Sequence, residues 1–452
     1  MQSQEILATT RVTADAWTGA VRHVQGLHRT VARRAFGYGG LRPSRSPVAR
    51  AHDLVADAVY GAVATAGRLA LRGAGELAAA GRRPDAPRLA ELPAGDLALG
   101  ALNGAFGRRF AATGSPLELP MTLRHRGRDL DLSPAALRRD FPLTDGRVVV
   151  LVHGLCLTDA SWRAPRRSPA QDDVDAGGGH DMALQGSGAD AADLRHAARE
   201  AADARSFTTL LHRELGFDVL TLRYNTGRRI PANGADLARL LERLHQTWPG
   251  GLRDVALVGH SMGGLVVRSA GAAATAAGHG WPSRVRDVVL LGSPQLGANL
   301  ERLAATGAWA AGLVPETRGI ADLLALRSDG VLDLRDGLLL DEDAPAAIDR
   351  WPWGERGTPV PLLPGARHHA VAVTLHRDPE RWLARSVLGD LLVTPASALA
   401  RARGARRLTF AADDVVLMGG LSHFDLLHHP RVWAHLRRWL APTPALPAAT
   451  AA

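Results

Sequence analysis

The sequence predicts an α/β protein with a mostly parallel sheet flanked by helices, preceded by an N-terminal helical region. Short apolar runs recur from Arg147 onward, at 147–152, 219–223, 255–258, 288–291, 370–375 and 415–418. Helical stretches such as Phe207 to Leu215 and Gly234 to Gln246 lie between several of them. The runs are continuously apolar rather than alternating, as expected of strands covered on both faces in a parallel sheet.

Residues 1–118 read as helices with Gly-rich interruptions. From Asp53 to Leu71, Leu54, Val55, Ala58, Val59, Ala62, Val63, Ala66 and Leu69 recur at spacings of three and four, an amphipathic helix pattern. Gly81-Arg82-Arg83-Pro84 and Leu92-Pro93-Ala94-Gly95 read as loops. Thr122 to Leu130 reads as a hairpin leading into the α/β core, which is expected to occupy 119–440. Two insertions interrupt the alternation. Residues 163–205 open polar and Gly-rich and read as a mobile surface insertion. Residues 297–365 carry Trp309, Trp351, Trp353 and many Leu, and read as a cap over the strand ends or an excursion with its own small core. The Pro/Ala-rich tail, 441–452, is expected to be disordered.

Composition removes several function classes. A chain of 452 residues with the single Cys156 forms no internal disulfide and lacks the thiolates of zinc ribbons or iron–sulfur clusters. The 54 basic side chains, all Arg, exceed the 45 acidic ones and give a net charge of +9. They are spread along the whole chain rather than gathered in a stripe, so no nucleic-acid partner is expected. No basic segment followed by an apolar one opens the sequence, and Asp57, Arg68, Arg72 and Glu76 interrupt the most apolar window, 55–80. The expectation is a soluble, cytoplasmic protein, with Arg22, Arg29, Arg33 and Arg34 permitting peripheral membrane contact through 1–118.

The chemistry concentrates at Val255-Ala256-Leu257-Val258-Gly259-His260-Ser261-Met262-Gly263-Gly264, a strand ending in G-x-S-x-G before an apolar helix start. A serine exposed on a sharp strand-to-helix turn needs glycine on both sides, because a side chain at Gly259 or Gly263 would crowd the turn. Ser261 is therefore the candidate nucleophile, and the helix N-terminus beneath it favours developing negative charge. The run 148–152 ends in His153-Gly154-Leu155-Cys156. Gly154 lets the backbone turn so that the Leu155 N–H can join the Met262 N–H in an oxyanion hole. His153 reads as a residue of that turn, and Cys156 as a neighbour without a nucleophile's surroundings.

Two carboxylates follow the run at 370–375. Asp378 precedes Pro379 and Glu380 and reads as a helix cap, whereas Asp390 follows Gly389 and is favoured as the orienting acid. After the last run, Gly419-Gly420-Leu421-Ser422-His423 places the candidate base, His423, while His428 and His429 lie in a turn before Pro430. The order Ser261, Asp390, His423 is that of one serine-hydrolase arrangement among three.

With VVVLVHGL at 148–155, VGHSMGGLVVR at 258–268, LGSPQLGANLER at 291–302, LGDLLVTPASAL at 388–399 and GLSHFDLLHHPRVWAHLRRWL at 420–440, the chain resembles an α/β-hydrolase of the lipase/esterase type. It looks similar to PGAP1-like and triacylglycerol lipases. The resemblance implies that Ser261 attacks an ester carbonyl, that His423 carries the proton to the leaving alkoxide, that Asp390 orients the imidazole, and that Ser293 belongs to a loop packed on the nucleophile helix. The expected activity is hydrolysis of carboxylic esters of apolar acyl groups through an acyl-enzyme, with no metal or organic cofactor and a small-molecule or lipid ester as substrate. Acyl transfer through the same triad, and a non-catalytic membrane-associated scaffold, are the alternatives.

Overall fold

The computed structural model describes residues 1–37, 47–83, 85–92, 95–163, 204–298, 328–343, 357–379, 389–390, 392–401 and 404–442. The insertion expected at 163–205 lies almost wholly outside these residues, as do Trp309, Trp351, Trp353, the helix expected after Asp378 and most of the tail. Two compact units are present, one of residues 1–99 and 112–118, the other of residues 100–111 and 119–452.

The first unit is built on α1 (Ser3–Gly37) and α2 (Pro47–Ala80), with the opening turns of α3 (Gly95–Thr113). α1 and α2 pair antiparallel. Ser3 Oγ donates to Ala79 O at 3.0 Å, and Trp17 Nε1 to Val63 O at 3.2 Å. Near the far end Gln25 Nε2 donates to Asp57 Oδ1 at 2.8 Å, and Arg29 pairs with the same carboxylate. The hairpin closes at its other end through Glu5, whose carboxylate accepts the Leu89 N–H at 2.9 Å. The stretch from His52 to Ala80, which includes the four charges noted in the sequence, is a continuous helix long and apolar enough by length and composition to cross a membrane.

The second unit opens with β1 (Thr122–His125) and β2 (Arg128–Asp129), an antiparallel hairpin turning through Arg126 and Gly127, both at positive φ. There follow α4 (Pro134–Asp140), β3 (Arg147–Val152), α5 (Phe207–Leu215), β4 (Asp218–Arg223), α6 (Ile230–Thr247), β5 (Asp254–His260), α7 (Met262–Ala277) and β6 (Val285–Leu291). The chain ends with α8 (Asp329–Asp336), β7 (Arg367–Thr374), the single turn α9 (Pro395–Ala398), β8 (Val415–Gly419) and α10 (Pro430–Leu440). The eight strands form one sheet in the order β2-β1-β4-β3-β5-β6-β7-β8. It is parallel from β4 to β8, with β1 and β2 antiparallel at one edge.

Two apolar layers hold the sheet. Val148, Val150 and Val152 point to the side of α6 and α7, where Leu237, Leu241, Leu244 and Leu265 meet them. Val149 and Leu151 point to the side of α5 and α10, against Phe207, Leu211 and Leu436. Both faces of β3 are fully buried, which is why the run is apolar without alternation. Each such side chain contributes about 1.5–3 kcal/mol relative to exposure. Of the cap-like insertion 297–365, the described part does not form a core of its own. Leu334, Leu339 and Val360 join the layer on the α6 and α7 side.

The strand order also places a crevice. β3 is followed in space by β4 on one side, while β5 takes the place on its other side. The chain therefore leaves β3 and β5 in opposite directions, and the space beyond their carboxyl ends is the usual ligand position in open α/β sheets.

Candidate active site

Both banks of that crevice are built from the turns singled out in the sequence. After β5 the backbone at Ser261 adopts φ 54° and ψ −126°, a left-handed conformation a non-glycine residue rarely takes, and α7 begins at the next residue. The strain is held from both sides. The Ser261 N–H donates to Leu291 O at 2.8 Å, and the Gly264 N–H returns to Ser261 O at 3.1 Å. No side chain fits at the flanking positions. A methyl group on Gly259 would lie 2.5 Å from Gly264 Cα, and one on Gly263 would lie 2.3 Å from Val152 O and 2.6 Å from His153 O. Gly264 has the same constraint from Ser293, whose Oγ donates to Gly259 O, so the 291–297 loop does pack on the start of α7.

The turn after β3 lies against the serine. A methyl group on Gly154 would come within 2.9 Å of Ser261 Cβ and 3.0 Å of His260 Nδ1. Three contacts fix this turn. Tyr224 Oη donates to His153 O at 2.8 Å and its ring stacks on His153 at 4.4 Å. His153 Nδ1 donates to Gly154 O at 3.0 Å, and the Cys156 N–H, at a residue of φ 60°, donates to Thr226 Oγ1 at 3.3 Å. Burial holds the His153 imidazole neutral, its pKa lowered to about 4. His153 is thus an uncharged strut beneath the Leu155 turn. The Met262 N–H opens α7, where the first amides of a helix have no intrahelical acceptor.

The loops after β7 and β8 bring Asp390 and His423 together. His423 Nδ1 donates to Asp390 Oδ2 at 2.6 Å, and both side chains are 2% exposed. The other oxygen, Oδ1, accepts the backbone N–H groups of Leu392 at 3.0 Å and Val393 at 2.8 Å, so the carboxylate cannot swing away. With its proton on Nδ1, the imidazole presents an unprotonated Nε2, which is buried and has no hydrogen-bond partner among the described residues. Asp378, the other candidate acid, lies in a local turn in which its N–H donates to His376 Nδ1.

His423 is anchored to the serine side at two points. His260, next to Ser261, donates from Nε2 to His423 O at 3.1 Å, with ring centroids 4.8 Å apart. Burial, and then the neighbouring His423, push its pKa well below the ordinary value. Gly292, at φ 60°, follows the residue that accepts the Ser261 N–H, and a methyl group there would stand 3.2 Å from His423 Cε1. His428 lies 3.6 Å from Asp425, and His429 caps α10 by accepting the Arg431 N–H at 3.1 Å. Tyr224, Thr226 and Gly292 were not singled out in the sequence; their one local signal is position, immediately after β4 or β6. No group of three or more metal-ligating side chains occurs among the described residues.

A family model, the PGAP1-like alpha/beta domain, matches residues 184–305, which span β4 to β6 and the Ser261 turn. No curated protein matches the sequence. Among solved structures, the mature lipase BlEst2 of Bacillus licheniformis is 20% identical over 66% of this chain and 94% of its own, with a TM-score of 0.36. The hyperthermophilic esterase of the archaeon Pyrobaculum calidifontis is 14% identical over 81% and 92%, with a TM-score of 0.35. Esterase Pf2001 of Pyrococcus furiosus is 12% identical over 66% and 83%, with a TM-score of 0.31. The sheet order and the turn at Ser261 give this chain an α/β-hydrolase fold, whose central part is similar to the PGAP1-like alpha/beta domain.

Proposed function

We propose that the protein is a serine-dependent carboxylic-ester hydrolase acting on apolar acyl groups. The observation that carries the reading is the buried Asp390–His423 pair with a free Nε2, anchored beside the strained turn of Ser261. In the mechanism, Ser261 Oγ adds to the ester carbonyl while its proton passes to His423 Nε2. The tetrahedral oxyanion is held by the N–H groups of Leu155 and Met262, and Asp390 stabilises the imidazolium. His423 then protonates the leaving alkoxide as the carbon–oxygen bond breaks. Water, deprotonated by the same imidazole, cleaves the acyl-enzyme and restores Ser261. The apolar, Trp-bearing sequence of 297–365 supports an apolar acyl group.

A fluorophosphonate probe should label the folded protein stoichiometrically and fail to label Ser261→Ala. A series of p-nitrophenyl esters of rising acyl length should then give a rising and saturating kcat/KM. Absence of labelling in protein with a native unfolding transition would overturn the assignment.

A further inference from the structure

The described residues include ten large apolar side chains that stand exposed, and six belong to α2: Leu54, Val55, Val59, Val63, Leu69 and Leu77, each 44–79% exposed. Their spacing, with alanines between, gathers most of them on the side of the helix away from Trp17 and Asp57, where Arg72 and Glu76 are the charged members, and the stripe runs for about 35 Å from Leu54 to Leu77. The apolar window within 52–80 is only 6% buried. Soluble monomers rarely leave so many large apolar side chains of one helix uncovered.

A second feature lies in the sequence of the same region. Between Asp15 and Asp53 the sequence holds seven Arg (22, 29, 33, 34, 42, 45 and 50) and no carboxylate. This span covers the last turns of α1 and the first turn of α2. The second unit spreads Arg among Asp and Glu, with Asp159 meeting Arg124, Arg163 and Arg223, so the acid-free run is a local departure from the chain's habit. Among the described residues of the hairpin, Asp57 pairs with Arg29 of this run.

We propose that the α1–α2 hairpin is a docking surface for an anionic lipid bilayer, lying along the membrane with the apolar face of α2 in the headgroup boundary and the Arg-rich end against acidic headgroups. A bilayer surface supplies an apolar phase and a sheet of negative charge together, which is what the two features require. A spanning hairpin would carry Arg11, Asp15 and Arg22 of α1 into hydrocarbon, so the hairpin lies on the surface rather than crossing it. A second copy of the chain would cover the apolar stripe but leave the arginine run unanswered, and a nucleic acid would answer the arginines but leave the stripe in water.

The test uses the full chain and sedimentation with phosphatidylcholine vesicles, with and without roughly 30 mol% phosphatidylserine. Wild type should bind the anionic vesicles at least tenfold more tightly than the neutral ones, and added salt should weaken that binding. Val59→Ser/Leu69→Ser/Leu77→Ser, at exposed positions, should lose tenfold or more at unchanged helix content. Arg22→Gln/Arg33→Gln/Arg34→Gln should lose the preference for acidic lipid. Equal binding by the serine variant, no binding by wild type, or a dimer that the serine changes dissociate would overturn the proposal. Ser261→Ala should bind vesicles as wild type does, so this test and that of ester hydrolysis can fail separately.

Discussion

His423 Nδ1 meets Asp390 Oδ2 at 2.6 Å, while Asp390 Oδ1 is claimed by two backbone N–H groups. This division of labour sets the outcome of Asp390→Asn. The amide oxygen must stay with the Leu392 and Val393 donors, which turns the NH2 toward His423. Nδ1 then becomes an acceptor, the proton moves to Nε2, and the imidazole can no longer take a proton from Ser261 as the proposed mechanism requires. The expected loss in kcat is roughly 10³-fold or more at little change in KM, as for an orienting acid that fixes the tautomer. Asp378→Asn should stay within about twofold of wild type. The reverse ranking in ester hydrolysis would move the acid to Asp378.

Gly292 offers a geometric test of the base. Alanine there carries a left-handed backbone penalty of about 1–2 kcal/mol, and its methyl group would stand 2.5 Å from Leu426 Cδ1 and 3.2 Å from His423 Cε1. The Gly278→Ala control carries the same penalty at φ 66° with nothing within 4 Å. Thermal unfolding should register both substitutions. Hydrolysis should fall tenfold or more in Gly292→Ala alone; equal activity in the two variants would show that this contact does not position His423.

The sheet was legible where burial is two-sided and the ends carry turn chemistry. Phe207–Leu215 emerges at its exact bounds because Ser206 caps it and Gly216, at φ 68°, ends it. β6 begins earlier than the apolar run because Asp287 is buried within the sheet, paired with Arg286, His369 and Arg367. A polar residue satisfied by partners 80 residues away leaves no trace in local periodicity. The same holds at the site: Ser261 announces itself through neighbouring glycines, and Asp390 and His423 through their place after a strand. Tyr224 and Thr226 act only through contacts across the crevice, to His153 and Cys156.

Acid stability should report His153. Its folded-state pKa is depressed by burial to about 4, below the unfolded value of about 6.5. The unfolded chain therefore takes up a proton that the folded one refuses. The stability is fully present above pH 6.5 and is lost as pH falls from about 6.5 to about 4, to the extent of about 3 kcal/mol. His368, also lowered to about 4 by burial, acts in the same direction. Urea unfolding of His153→Phe, which keeps a ring against Tyr224, should show a shallower loss of stability across that window. Parallel pH profiles in variant and wild type would remove His153 as a cause.

The single thiol gives an independent probe of the turn beside the serine. Cys156 precedes Leu157 in the Gly154 turn, and burial pushes its thiol up to about 12. A methyl group on Gly104 would lie 2.3 Å from Sγ, so the sulfur is enclosed by α3 as well as by the turn. At pH 8 the native thiol is then far less ionised than that of an unfolded cysteine, which is roughly a quarter thiolate. Ellman's reagent should react with native protein at least roughly tenfold more slowly than with protein in urea, where one thiol per chain should titrate. Hydrolysis should survive iodoacetamide under native conditions, because the alkylating agent needs the thiolate. Rapid native labelling accompanied by loss of activity would mean that the Leu155–Cys156 turn opens in solution, and with it the proposed oxyanion donor.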